Sequence, residues 1–219
     1  MSPFRSPHKF LLFIFAVAFL LGILQVGLVS IAFDKLGLSQ QAAFLLLFSS
    51  LAGSMINLPL FSVRAEQPAE PPQLPALWPI KLPPFTGRTI VAVNTGGCLI
   101  PLTFSLYLLL NNPLPLFHAV LGVAAITAVS YTMSRPIAGL GIGMPLFVAP
   151  ISAALVAILI NPEQSAPLAY ISGTLGVLIG ADLLRLKDIR HLGAPLASIG
   201  GAGTFDGIFI TGIVAVLLA

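Results

Sequence analysis

Charge is what this sequence has least of. Only 8% of its 219 residues are Asp, Glu, Lys or Arg, against 57% hydrophobic residues and a mean hydropathy of +1.03. A soluble domain carries about 25% charged residues. With so few, no water-facing surface can enclose a core of this size, so lipid is the solvent for most of the chain. Soluble enzymes, secreted disulfide frameworks and nucleic-acid-binding domains are excluded together. The net charge of +3 is no nucleic-acid footprint, because the basic residues are scattered through loops.

Cysteine and histidine are nearly as scarce. The single Cys98 lies in an apolar run and reads as a small buried hydrophobe without an intrachain disulfide. His8, His118 and His191 are dispersed, which supports neither a metal site nor a Ser-His-Asp triad, and no cofactor is expected. Glycine (20) and proline (19) are abundant instead, as in broken and closely packed membrane spans.

The apolar runs divide the chain into an all-α, polytopic bundle of about seven spans, each near the ~20 residues that a bilayer requires. They are expected at 10–33, 42–61, 90–110, 116–133, 144–160, 167–186 and 204–219. The first has a rival reading as a cleaved signal peptide ending at Ser30-Ile31-Ala32. Residues 62–88 carry seven prolines, at 68, 71, 72, 75, 79, 83 and 84, and read as an extended surface loop. The last span is short, some 16 residues or about 24 Å of helix, so the glycine-rich stretch before it either joins it or dips into the bilayer.

Basic residues orient this bundle. With the N-terminus inside, Arg5, Lys9, Arg64, Lys81, Arg88, Arg135, Arg185, Lys187 and Arg190 fall on the inner side and Lys35 alone on the outer. The C-terminus then lies outside, and the expected location is the cytoplasmic (inner) membrane.

That alternation collects the polar residues of the spans at one face. Asn57 and Asn94 with Thr95 stand at the inner ends of spans two and three, and Arg135 closes span four. Asp182 closes span six, while Thr204 and Asp206 open span seven. Carboxylates at membrane depth are costly and are functional candidates by default. Two close carboxylates cannot both ionise, so one keeps a proton while the other activates water, the arrangement of an aspartyl protease. The same groups suit a small ion-coupled transporter or channel. A third reading is a non-catalytic scaffold whose Pro-rich loop docks a partner; in a purely structural role Asp206 caps a helix, and Asp182 pairs with Arg185 or meets water. On an ideal helix Asp182 shares its face with Ile171, Leu175 and Leu178, while Gly173, Gly176 and Gly180 lie opposite. The expected partners are the lipid bilayer and a peptide or membrane-protein substrate, with no nucleic acid. The run Ser198-Ile199-Gly200-Gly201-Ala202-Gly203-Thr204 can present N–H groups to an anion but lacks the lysine of a P-loop.

Four runs together resemble the prokaryotic membrane family known as domain of unknown function 1614. They are Val93-Asn94-Thr95-Gly96-Gly97, the stretch from Arg135-Pro136 to Pro145, Gly180-Ala181-Asp182-Leu183, and the run from Ser198 to Phe209 that contains Phe205-Asp206-Gly207. The resemblance starts at about Asn57. It implies an integral membrane protein and carries over no catalytic residues. A looser likeness is to the G-x-G-D aspartyl intramembrane proteases, matched incompletely at Gly180-Ala181-Asp182 and without their Tyr-Asp pair.

Overall fold

The structure, a computed structural model, describes residues 27–66, 87–137, 141–201 and 207–219. It is predominantly helical. Helix α1 is described over Gly27–Lys35 and meets α2 (Gln40–Gly53) at a bend of 112°. Gly37 makes that corner with φ of 72°, and the Ser39 hydroxyl accepts the Ala42 N–H to start α2. Helices α3 (Ile100–Asn111), α4 (Leu116–Met133), α5 (Val148–Ile160), α6 (Ser165–Val177) and α7 (Gly207–Leu218) complete the bundle.

A small sheet stands at one end. Strand β1 (Asn57–Arg64) pairs antiparallel with β2 (Arg88–Asn94), and β2 pairs parallel with β5 (Leu196–Ile199). A two-stranded ribbon of β3 (Arg135–Ile137) and β4 (Gly141–Gly143) lies beyond α4. The all-α class holds, with these short strands added to it at places where helical spans were expected. The second apolar run leaves its helix at Gly53, not Phe61, and the third begins as a strand before Thr95. Ser62–Arg64 and Arg88, expected in the loop, belong to the sheet, whereas the prolines of 68–84 fall outside the described residues. The residue types explain the outcome. Thr89, Ile90, Val91 and Val93 are β-branched and fill the central strand. Pro59, which cannot donate to a ladder, sits on the edge strand beside a register shift.

Helix α6 is the hub, buried along nearly its whole length and packed against α3, α4, α5 and α7. In lipid the driving force for this is close contact rather than removal from water, so small residues lie where helices meet. A Cβ on Gly176 would come within 2.6 Å of the Ile126 Cβ, and one on Gly180 would overlap the Thr127 carbonyl oxygen. Tyr170, fully buried, sets its ring edge-on to Phe104 at 4.9 Å, a contact worth about 1 kcal/mol.

The helices over Leu116–Met133 and Pro162–Leu183 are long and apolar enough to cross a membrane, and the bent pair α1–α2 qualifies if taken as one span. The chain is a membrane protein. The fourth expected span coincides with α4, and the sixth with α6 and the turn that follows it. Most of the first expected span lies outside the described residues.

Candidate functional site

Beyond Val177 the hub helix loosens. Residues Leu178–Leu183 form a π-helical turn, closed by the Leu184 N–H donating to the Ile179 carbonyl. A π turn inserts one residue without completing an extra α turn, which rotates everything after it by about 100°. That overturns the ideal-helix expectation for Asp182. Ile171, Leu175 and Ile179 line one hollow of the molecule, while Val177, Ala181 and Asp182 line another. The aspartate and the upper leucines do not share a face.

A second π turn, Thr95–Leu99, opens α3. Asn94, almost fully buried, precedes it and uses both ends of its amide. Its Oδ1 accepts the Gly97 N–H at 2.7 Å, and its Nδ2 donates to the Ser54 carbonyl at 2.7 Å and to Asn57 Oδ1 at 3.1 Å. Asn57 Oδ1 also accepts the Ser198 hydroxyl at 2.5 Å. The Thr95 N–H donates to the Ile56 carbonyl. One amide thus links the end of α2 to β1 and β2, and through Asn57 to β5. Left without these partners at this depth, it would be strongly destabilising. Asn57 and Asn94, expected at one face, touch each other. Their role here is to hold the sheet to the bundle.

The glycines beside them are required by space. A Cβ on Gly97 would overlap the Gly200 carbonyl oxygen, and one on Gly96 would overlap the Ser50 carbonyl. Gly200 and Gly201 hold φ of 83° and 90°, which turn the chain after β5. In that turn the Gly200 N–H donates to Asp182 Oδ2 at 2.8 Å. Three runs far apart in sequence, 93–97, 180–183 and 198–200, therefore meet at one place.

A cavity of about 410 Å³ opens there. Asp182 is half-buried on its wall, and Thr211 of α7 lines it from the bundle side. All of β5 and all of β4 border it as well. Each is the outermost strand of its sheet among the described residues. The cavity is a slot with strand backbone on two sides and one anchored carboxylate.

Two expected members stand elsewhere. Arg135 is exposed on β3 and does not line the cavity. Arg185 makes no ion pair with Asp182. It pairs with Asp188 at 3.1 Å, stacks 4.4 Å from the centre of the Tyr131 ring, and donates to the Tyr131 and Ser134 carbonyls that end α4. A guanidinium there satisfies orphaned carbonyls and complements the helix dipole. Thr204 and Asp206 lie outside the described residues. Sequence reasoning missed Ser54, since a lone serine in an apolar run gives no signal, and named Ser198 only as the start of a glycine-rich run, not as a partner of Asn57.

No curated protein and no protein of solved structure matches the chain. A family model described as a protein of unknown function, DUF1614, matches residues 51–218, the stretch that supplies every group around the cavity, and the chain belongs to that family.

Proposed function

We propose that the protein is a multi-pass protein of the cytoplasmic membrane, with its N-terminus inside, and that the cavity beside Asp182 is an aspartyl peptidase-like site at the cytoplasmic face. The observation that carries this reading is the slot itself: an anchored carboxylate between two sheet-edge strands. An extended peptide can add to such edges by main-chain hydrogen bonds, which holds a scissile amide in line. Gly201 and Ile208 both line the cavity and flank the stretch containing Asp206. In the proposed reaction the ionised aspartate takes a proton from water as the oxygen attacks the amide carbonyl. The protonated partner supports the developing oxyanion, and a proton passes to the leaving nitrogen as the C–N bond breaks.

The polar contacts at the two ends support the orientation. Lys35 donates to the Val216 and Leu217 carbonyls, and the Ser165 hydroxyl to that of Ala219. Asn161 meets His118 at 3.2 Å. Those residues fall on the outer side of the proposed topology. The sheet network and Arg185 fall on the inner side with the basic residues.

Asp182→Asn and Asp206→Asn, each compared with wild type for proteins accumulating in the membrane, test the reaction. Accumulation of the same substrates in both variants is expected, and unchanged membrane proteomes in both would remove the peptidase reading. A second reading, ion coupling, is favoured by the hydroxyls of Thr127 and Ser130 on α4. Both oxygens are buried without a hydrogen-bond partner among the described residues. Groups of this kind are commonly completed by water or an ion. A pH gradient collapsing in proteoliposomes of wild type but not of Asp182→Asn would identify it.

A further inference from the structure

Around α6, α4 packs on α5 and α5 on α7, whereas α3 stands apart from α4. These two are consecutive and joined by a short turn, yet they make little contact with each other. The gap is a groove of about 640 Å³ whose floor is Ile171, Leu175 and Ile179 of the hub helix. Its walls are Leu109 of α3 and a run of α4 from Leu116 to Tyr131, and Leu184 closes one end. About fifteen residues of helix rise about 22 Å, more than half of the ~30 Å hydrocarbon core. The lining is almost wholly apolar, Thr127 and Tyr131 apart, so an apolar chain suits it better than a polar solute.

The chemistry at the Tyr131 end differs. Arg185 stacks on that ring, but its donors are used by Tyr131, Ser134 and Asp188. Arg135, four residues beyond Tyr131, and Lys187, three beyond Leu184, are both exposed. Neither side chain makes a hydrogen bond or ion pair among the described residues. The elements that carry them touch: β3 contacts the 3-10 turn Leu186–His191. Two cations without a hydrogen bond or ion pair among the described residues therefore follow, within four residues, the groove-lining Tyr131 and Leu184.

We propose that this groove binds one anionic phospholipid, with an acyl chain lying between α3 and α4 on the floor of α6 and its phosphate held by Arg135 and Lys187. Charge complementarity selects the headgroup, and the apolar length selects the chain. A second copy of the protein would have to bring a carboxylate to the same mouth. A zwitterionic lipid would leave both cations without net compensation. The groove shares no lining residue with the cavity at Asp182, although the ribbon and the turn that carry Arg135 and Lys187 also border that cavity.

Native mass spectrometry of the full-length protein, released from micelles doped with phosphatidylglycerol or phosphatidylcholine of identical acyl chains, tests it. Wild type is expected to retain one phosphatidylglycerol in preference to phosphatidylcholine by roughly tenfold or more, at about 1 kcal/mol per basic residue. The double variant Arg135→Gln, Lys187→Gln should bring the two lipids to near parity. Val120→Trp and Ala124→Trp fill the groove from exposed positions and should reduce retention of both lipids about tenfold, with folding checked by thermal unfolding. Equal retention of the two lipids by wild type overturns the proposal. So does wild-type retention by a folded tryptophan variant. A wild-type dimer that the tryptophan variants convert to monomer, with lipid retention unaltered, overturns it in favour of a self-interface.

Discussion

The cavity at Asp182 and the groove between α3 and α4 are built from opposite materials. The cavity at Asp182 is bordered by strands, glycine turns and one carboxylate, and its polar backbone is braced by the Asn94–Asn57–Ser198 chain. The groove between α3 and α4 is bordered by regular helices and carries almost no polar atom. Irregular backbone survives near lipid only where protein or enclosed water satisfies it. The cavity therefore has to be an integrated assembly in which each residue depends on several others. The groove is a space between helices that would stand without it. Substitutions should be far more damaging at the first than at the second.

The largest expected effect is chemical. If the Asp182 site is catalytic, Asp182→Asn should lower turnover of an accumulating membrane substrate by about 10²-fold or more while leaving folding intact. An unchanged rate in a folded variant would reduce the cavity to a structural feature. Next comes Gly97→Ala, whose methyl would overlap the Gly200 carbonyl oxygen, an atom that no rotamer change can move aside. We expect a loss of about 3 kcal/mol or more, read as a collapsed melting transition in detergent. Gly122→Ala, which meets only the Ser172 and Leu168 side chains at 3.1 and 3.2 Å, should be milder. Equal losses for the two would erase the contrast between backbone and side-chain contacts. Asn94→Ala deprives the Ser54 carbonyl and the Gly97 N–H of their partner and should destabilise by about 2–3 kcal/mol. Arg185→Ala leaves the Tyr131 and Ser134 carbonyls to water at a half-exposed position, so about 1 kcal/mol is expected there. Chemical denaturation of the purified Gly97, Asn94 and Arg185 variants ranks them. A reversal of the order would mean that the helix ends, not the sheet, hold this end of the bundle together.

The topology has its own check. An alkaline phosphatase fused after Ala219 should be active, since the proposed orientation places the C-terminus outside. An inactive fusion, with a cytoplasmic reporter active at the same point, would invert the bundle.

How much is legible in the sequence depends on the kind of signal. Span four is legible to the residue, because Leu116 to Met133 is one long apolar run bounded by Pro115 on one side and Ser134-Arg135 on the other. Asn57 and Asn94 fall on one face from alternation alone, and the register pairs them directly. The strands are invisible for a reason of the same kind. In a run such as Ile90-Val91-Ala92-Val93 both faces are apolar, so neither the period of a helix nor that of a strand appears, and hydropathy alone reads a span. The π turn at Leu178–Leu183 is equally hidden, and it makes the ideal-helix face assignment of Asp182 wrong.

By itself the sequence determined the solvent, the helical class and the inventory of polar residues, because these follow from composition and from the length of apolar runs. Which of those residues touch was decided only in three dimensions. Arg185 turned to α4 and not to Asp182, and the Gly97 and Gly200 backbones came into contact from distant parts of the chain. Such pairings depend on strand register and on a single inserted residue in a helix, and neither leaves a periodic trace in a uniformly apolar chain.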